Sequence, residues 1–382
     1  MLKDTLYVLF LLLMASCFTG CQAEYASHDR KDAAASKCKD KVVGYIDKTG
    51  KIVIKPHFRI AGNFFGGLAA VQYSERGQYG YIDKTGKMVI KPKYLLASDF
   101  KENLAAVIDP KTKKFGYIDK TGTLNIKPKY AVAKNFSCGL ASVTLKNDPP
   151  LLFGYIDNTG REIVGMKYGN SLNFSEGLAY VAWGPNKGQS GFIDASGRLV
   201  FTLSPELESS RSFFDGMAAV TRRGDDGIAR YGFINKAGKT VIRPQFSEVR
   251  DFSNGIAAVQ YMQENTNIHN VNWQELQKSK SFMWGFVNRT GTFIVSPQFE
   301  DAYPFSNGYA AVRVNGRYGF VDSQAKIVIK PQFEFVCNFS DDLAAVLVAG
   351  KWGYIDKTGK MVIKPQFTEA GEFHEGLAVV AL

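Results

Sequence analysis

One motif recurs nine times along this chain. Its fullest form reads GYIDKTGKIVIKP, followed by an aromatic, a Phe six residues later, a small turn and LAAV. Aligned on the opening glycine, the copies begin at Gly44, Gly80, Gly116, Gly154, Gly191, Gly232, Gly285, Gly319 and Gly353, spaced 34 to 53 residues apart. A period of that size marks a supersecondary unit stacked on copies of itself. One unit is too short to bury a core alone, so stability has to come from stacking and function from a surface. At 382 residues, the length alone would suggest two or three globular domains; the repeat overrides that reading.

Each repeat reads as strands and turns. In the first copy, Gly44 to Asp47 is a strand and Lys51 to Lys55 a second, joined at Asp47-Lys48-Thr49-Gly50. An Asp at the head of such a turn accepts from amides further on, and Gly supplies a positive φ. The head is Asp or Asn in every copy: Asp47, Asp83, Asp119, Asp157, Asp194, Asn235, Asn288, Asp322 and Asp356. The last position is Gly except in the eighth repeat, where Ala325 is expected to strain the turn or change its type. Lys55-Pro56 is expected to end the second strand and lead the chain out of the sheet. Phe58 and Phe64 then bracket an irregular passage pinned over the sheet edge. Gly67 and its equivalents (Asn103, Gly139, Gly177, Gly216, Gly255, Gly308, Asp342, Gly376) are residue types that accept a left-handed backbone. Leu68 to Val71 is a third strand, apolar on both faces and so covered on both.

This pattern resembles the WG-repeat family, named for a Trp-Gly in the first strand. Trp284-Gly285 and Trp352-Gly353 match literally; Tyr79, Phe115, Phe153, Tyr231 and Tyr318 put another aromatic before the glycine, and Val43 and Ser190 do not. The resemblance spans residues 42–382. It implies an all-β protein of the bacterial envelope or exterior, with no general catalytic activity. The expected fold is an all-β array of nine three-stranded antiparallel repeats. An open β-solenoid is favoured over a closed propeller-like ring, because nine blades exceed the usual count and the spacing is uneven. An open array would leave Leu377–Leu382 as an apolar edge strand, available for self-association or partner docking.

Residues 1–21 read as a targeting segment. Lys3 precedes an apolar run from Leu6 to Ala15 that is too short to span a bilayer. Phe18-Thr19-Gly20-Cys21 resembles the lipobox of bacterial lipoproteins, which implies lipidation of Cys21; Met14-Ala15-Ser16-Cys17 is the alternative, at Cys17. Residues 22–41 are a polar tether with a reach of roughly 25 Å. The implied location is a membrane of the cell envelope, the outer one by preference, with the repeats facing periplasm or exterior. The formal charge of +11 favours anionic partners. Export argues against nucleic acid. Cys38, Cys138 and Cys337 are too scattered to read as a disulfide framework.

Catalytic signals are missing. His28, His57, His269 and His374 fall at unrelated positions, and no HExxH, phosphate loop or nucleophile elbow occurs. The repeated carboxylates are explained by turns, so no enzyme, metal or cofactor is expected. Ligand contacts are expected instead from Lys55, Lys91, Lys127, Arg243, Lys330 and Lys364, a basic stripe interrupted by Gly165, Thr202 and Ser296. Strand alternation puts Ile52 and Ile54 on one face, with Lys51, Val53 and Lys55 on the other. Lysines of this kind also keep sheet faces soluble and blunt edges. The repeated aromatics fit core packing better than sugar stacking. The longest irregularity, 262–282, interrupts repeat six and carries Trp273, a contact anchor if exposed. The fifth repeat is degenerate, with Leu203 for the proline and Pro205 for the aromatic. The combined expectation is a non-enzymatic, envelope-anchored surface that binds or scaffolds an envelope protein, or alternatively an anionic or cell-wall glycan.

Overall fold

The computed structural model describes residues 41–74, 76–183, 189–262 and 282–382. The described residues form strands and turns, with two compact units: those through Lys129 together with Glu334–Leu382, and Tyr130–Phe333. Every sheet is antiparallel and four-stranded, and the described residues contain nine. In the first unit, blade 1 runs Ile52–Phe58, Val43–Asp47, Leu377–Ala381, Glu369–Ala370. Blade 2 comprises Ile60–Ala61, Leu68–Gln72, Tyr79–Asp83 and Met88–Tyr94, and blade 3 begins at Leu96 in the same order and belongs to this unit through Lys129. Blade 9 covers residues 335–367. The second unit holds blades 4 to 8, over residues 132–168, 170–202, 209–246, 248–299 and 301–333.

These sheets are the blades of a β-propeller, and the expected open solenoid of three-stranded repeats is corrected on two counts. The first is the frame of the sheet. Leu68–Gln72 does not close its own repeat but pairs with the first strand of the next, Leu68 opposite Asp83 and Val71 opposite Gly80. A fourth strand of only two residues, Ile60–Ala61, completes the blade. The second is closure. Leu377–Ala381 pairs with Val43–Asp47 on one side, from Asp47↔Leu377 to Val43↔Ala381, and with Glu369–Ala370 on the other. The free edge expected at Leu377–Leu382 is therefore absent. The physical reason is the one that makes exposed edges costly: an apolar strand with unpaired amides gains hydrogen bonds and burial by joining the first strand.

The opening glycine has a steric reason. Opposite it the outer strand bulges: Val43 pairs with Phe58 and Tyr45 with Ile54, leaving Lys55, Pro56 and His57 opposite Gly44 alone. The bulge brings backbone against the glycine, so a Cβ on Gly44 would lie 2.4 Å from the Ile54 oxygen and 2.6 Å from the Pro56 nitrogen. The strand thus continues through proline to the aromatic instead of ending at Lys-Pro. Proline is tolerated there because it sits in a bulge on an outer strand. Phe58 and Phe64 are buried in the core against Tyr45, not pinned over an edge.

The turns follow the sequence. Asp47 Oδ1 accepts from the Thr49 amide (2.9 Å), the Lys51 amide (3.1 Å) and the Thr49 hydroxyl (2.6 Å). Ala325 keeps the same turn at φ 58°, its amide donating to the Asp322 carbonyl at 2.8 Å. The turn before each third strand is a two-residue hairpin with both central residues at positive φ, as Glu375 (51°) and Gly376 (87°) show. Two positive values define a type I′ turn, whose twist matches that of the flanking strands.

Blades are bonded to their neighbours through buried phenols. Tyr354 donates to the Gly371 carbonyl, Tyr45 to Gly62 and Tyr81 to Ser98, at 2.7 to 2.9 Å. Burial holds these phenols protonated, as the bonds require.

Candidate interaction surface

All six expected cations are exposed. Lys55, Lys91, Lys127, Arg243, Lys330 and Lys364 occupy one register position on the outer strands, at the start of the bulge. In the first unit that position is lysine in all four blades: Lys364, Lys55, Lys91 and Lys127. In the second unit Gly165, Thr202 and Ser296 interrupt it. Trp273 and most of the 262–282 insertion lie outside the described residues, as do Cys17 and Cys21.

A second feature of these strands was not expected. Strand alternation puts Ile52 and Ile54 on one face, yet Ile52 is 39% exposed and Ile54 only 5%. A further register shift, between Tyr45↔Ile54 and Ile46↔Ile52, takes Val53 out of alternation and turns Ile52 outward. The outer strands consequently display paired apolar side chains, Ile52 and Val53 and Ile327 and Val328 between lysines, and Phe293 and Ile294 between Thr292 and Ser296, all 38–42% exposed. The signal was in the sequence as a two-residue apolar run followed by another apolar residue, which a strict period of two cannot place on one face.

The opposite chemistry gathers at the blade ends bearing the hairpins. The turn acid of one blade reaches the next. Glu375 accepts from the Gly66 and Gly67 amides at 2.6 and 3.0 Å and pairs with Lys84 at 3.2 Å. Glu176 accepts from Gly216 at 3.1 Å and pairs with Lys236 at 3.0 Å. Asp215 binds the Gly255 amide and the Arg289 guanidinium. These carboxylates act between blades. The hairpin carboxylates are equally committed: the Ser196 hydroxyl holds Asp194 down to about 2, and the Thr49 hydroxyl lowers Asp47. Among the described residues no three His, Cys, Asp or Glu side chains are grouped to hold a metal.

Asp99 departs from this pattern. One of its carboxylate oxygens is buried without a hydrogen-bond partner, and desolvation raises its pKa to about 6 despite Lys101. A folded-state pKa above the unfolded value of about 3.9 means that ionisation opposes folding, so this group's contribution is lost as pH rises from about 4 through 6. Asp99→Asn is expected to stabilise the chain by ~2 kcal/mol at pH 7 and to give no gain below pH 4. Thermal denaturation of both proteins across that range checks it.

The family described as "WG containing repeat" matches residues 44–75, 79–108, 115–148, 153–182, 231–261, 284–318, 318–352 and 352–382. The chain belongs to the WG-repeat family. The match skips the degenerate fifth repeat, whose outer strand is cut to Leu199–Thr202. No curated protein matches the chain. Solved structures similar to this WG-repeat chain include Hsv2p of Kluyveromyces lactis, at 12% identity over 83% of this chain and 93% of that one, TM-score 0.34. The β-propeller domain of the trilobed protease of Pyrococcus furiosus matches at 10% identity, over 85% and 99%, TM-score 0.39. Apo AztD of Citrobacter koseri matches at 13% identity, over 90% and 98%, TM-score 0.34.

Proposed function

We propose that this protein is a non-enzymatic, envelope-anchored WG-repeat lipoprotein whose outer strands form a docking surface for another envelope protein. The observation that carries this reading is the repeated display of exposed apolar pairs on those strands, since clustered exposed apolar surface marks contact sites. The carboxylates that could do acid–base chemistry are held in turns and between blades. Lipidation is placed at Cys21, with Cys17 the alternative, and is read from intact mass in Cys21→Ser and Cys17→Ser chains.

A second reading, an anionic or cell-wall polysaccharide as ligand, is favoured by the unbroken lysines of the first unit. Salt separates the two, because at roughly 1 M the screening length falls to about 3 Å. A protein complex is expected to co-purify from envelope extracts at that salt and to be lost when Ile52, Val53, Val89 and Val362 are changed to Ser. A polysaccharide complex would dissociate in salt and be lost when Lys55, Lys91, Lys127 and Lys364 are changed to Ala. Retention in both variants would overturn the outer strands as the surface.

A further inference from the structure

Within the two units, seven pairs of consecutive blades can be compared for the acid of one turn and the cation of the next hairpin. Four pairs have both: Glu375 with Lys84, Glu176 with Lys236 and Asp215 with Arg289 as ion pairs, and Asp341 with Lys48, where Asp341 accepts from the Gly376 amide and Lys48 reaches its neighbour Asp342 at 3.9 Å. Two pairs have neither, Cys138 facing the blade of Ala195 and Asn254 facing that of Ser323. In six of these seven pairs acid and cation are kept or lost together, as they would be if each served the other. One pair breaks the rule. Gly66 carries no side chain, yet the next hairpin keeps Lys120.

Lys120 has not turned away. A Cβ on Gly66 would lie 2.7 Å from its Nζ and 2.9 Å from its Cε, so the amine stands over the glycine. The following turn, at Asn103, keeps the left-handed backbone of its equivalents, with φ 68°. One blade earlier the equivalent groups, the Gly66 and Gly67 amides and Lys84, hold the Glu375 carboxylate. Beside the position, Lys101 Nζ lies 3.5 Å from the centre of the Phe65 ring, adding a second cation and an apolar face. Five of the nine repeats put Ser at the Phe65 and Lys101 position (Ser137, Ser175, Ser253, Ser306 and Ser340), with Phe214 and His374 the other two departures.

We propose that Lys120 and the Asn103 turn amide form a receptor for a carboxylate supplied by an acidic segment of a partner protein. The partner's side chain takes the place that Glu375 fills one blade earlier, and Phe65 with Lys101 borders the incoming chain. This rests on the protein-docking reading only for the source of the carboxylate; the receptor itself stands on the Glu375 geometry.

The test is a titration of the full chain with a hexaglutamate peptide, followed at the Asn103 amide resonance. A saturable shift is expected in the wild type, weakened at least tenfold in Lys120→Ala. Gly66→Glu, which supplies the missing carboxylate in cis, is expected to abolish binding and raise the melting temperature. Unaltered binding in Lys120→Ala, or no shift in the wild type, overturns the receptor. Inorganic phosphate that displaces the peptide at equal concentration overturns the carboxylate assignment. None of these results depends on co-purification from envelope extracts, so the receptor and the docking surface can fail separately.

Discussion

Gly353→Ala is expected to destabilise the protein by ~3 kcal/mol or more, the upper end of overpacking costs. A methyl there would stand 2.5 Å from the Ile363 oxygen, 2.8 Å from the Pro365 nitrogen and 3.0 Å from the Lys364 carbonyl carbon. All three are backbone atoms of the bulge, so no side chain can swing aside to make room. Gly376→Ala is the matched control. That glycine has φ +87° but nothing within 4 Å of the added carbon, so its cost is the backbone strain alone, ~1 kcal/mol. Thermal or denaturant unfolding of the two variants separates space from conformation. Equal losses would sink the claim that the bulge is what demands the glycine. The same contact recurs at Gly232 and Gly319, each 2.3 Å from a facing carbonyl oxygen. The family's Trp-Gly and its Lys-Pro are thus two halves of one contact.

That link also shows where the sequence could be read and where it could not. Turns were legible, because an Asp followed by Gly at a fixed distance has a local explanation that the hydrogen bonds at Asp47 and Asp83 bear out. Strand positions were legible from their apolar runs. The frame of the sheet was not: Leu68–Gln72 is compatible with either neighbour, and the two-residue strand Ile60–Ala61 is shorter than any periodic pattern. Strand alternation failed at Ile52, because a bulge changes the count without changing composition. Closure failed for a different reason. Whether Leu377–Ala381 meets Val43–Asp47 depends on the twist summed along the chain, which no local pattern carries. The six expected cations were legible as exposed charges. The acids between blades were missed, since their partners lie a full repeat or more away in sequence and become visible only when turn and hairpin positions are compared across repeats.

Closure predicts the effect of removing the last strand. Deleting Leu377–Leu382 is expected to cost ~4 kcal/mol or more, the range reserved for loss of a buried network. In an open array such a deletion would fray the ninth repeat alone. Here it strips the partner from Val43–Asp47, some 330 residues earlier in the chain. Ala378 and Val380 also leave a core that they share with Ile46, Trp352, Tyr354 and Phe373. Hydrogen exchange gives the decisive readout, because it reports opening segment by segment. Amides of residues 43–47 are expected to lose protection together with those of Glu369–Ala370, while blades 5 to 7 exchange as before. Ala378→Asp tests the same contact without shortening the chain, burying an unpaired charge at a fully buried site. Protection at 43–47 that survives both changes would mean that the first strand does not need the last. The coupling runs both ways: whatever stabilises the first strand is transmitted directly to the final repeat.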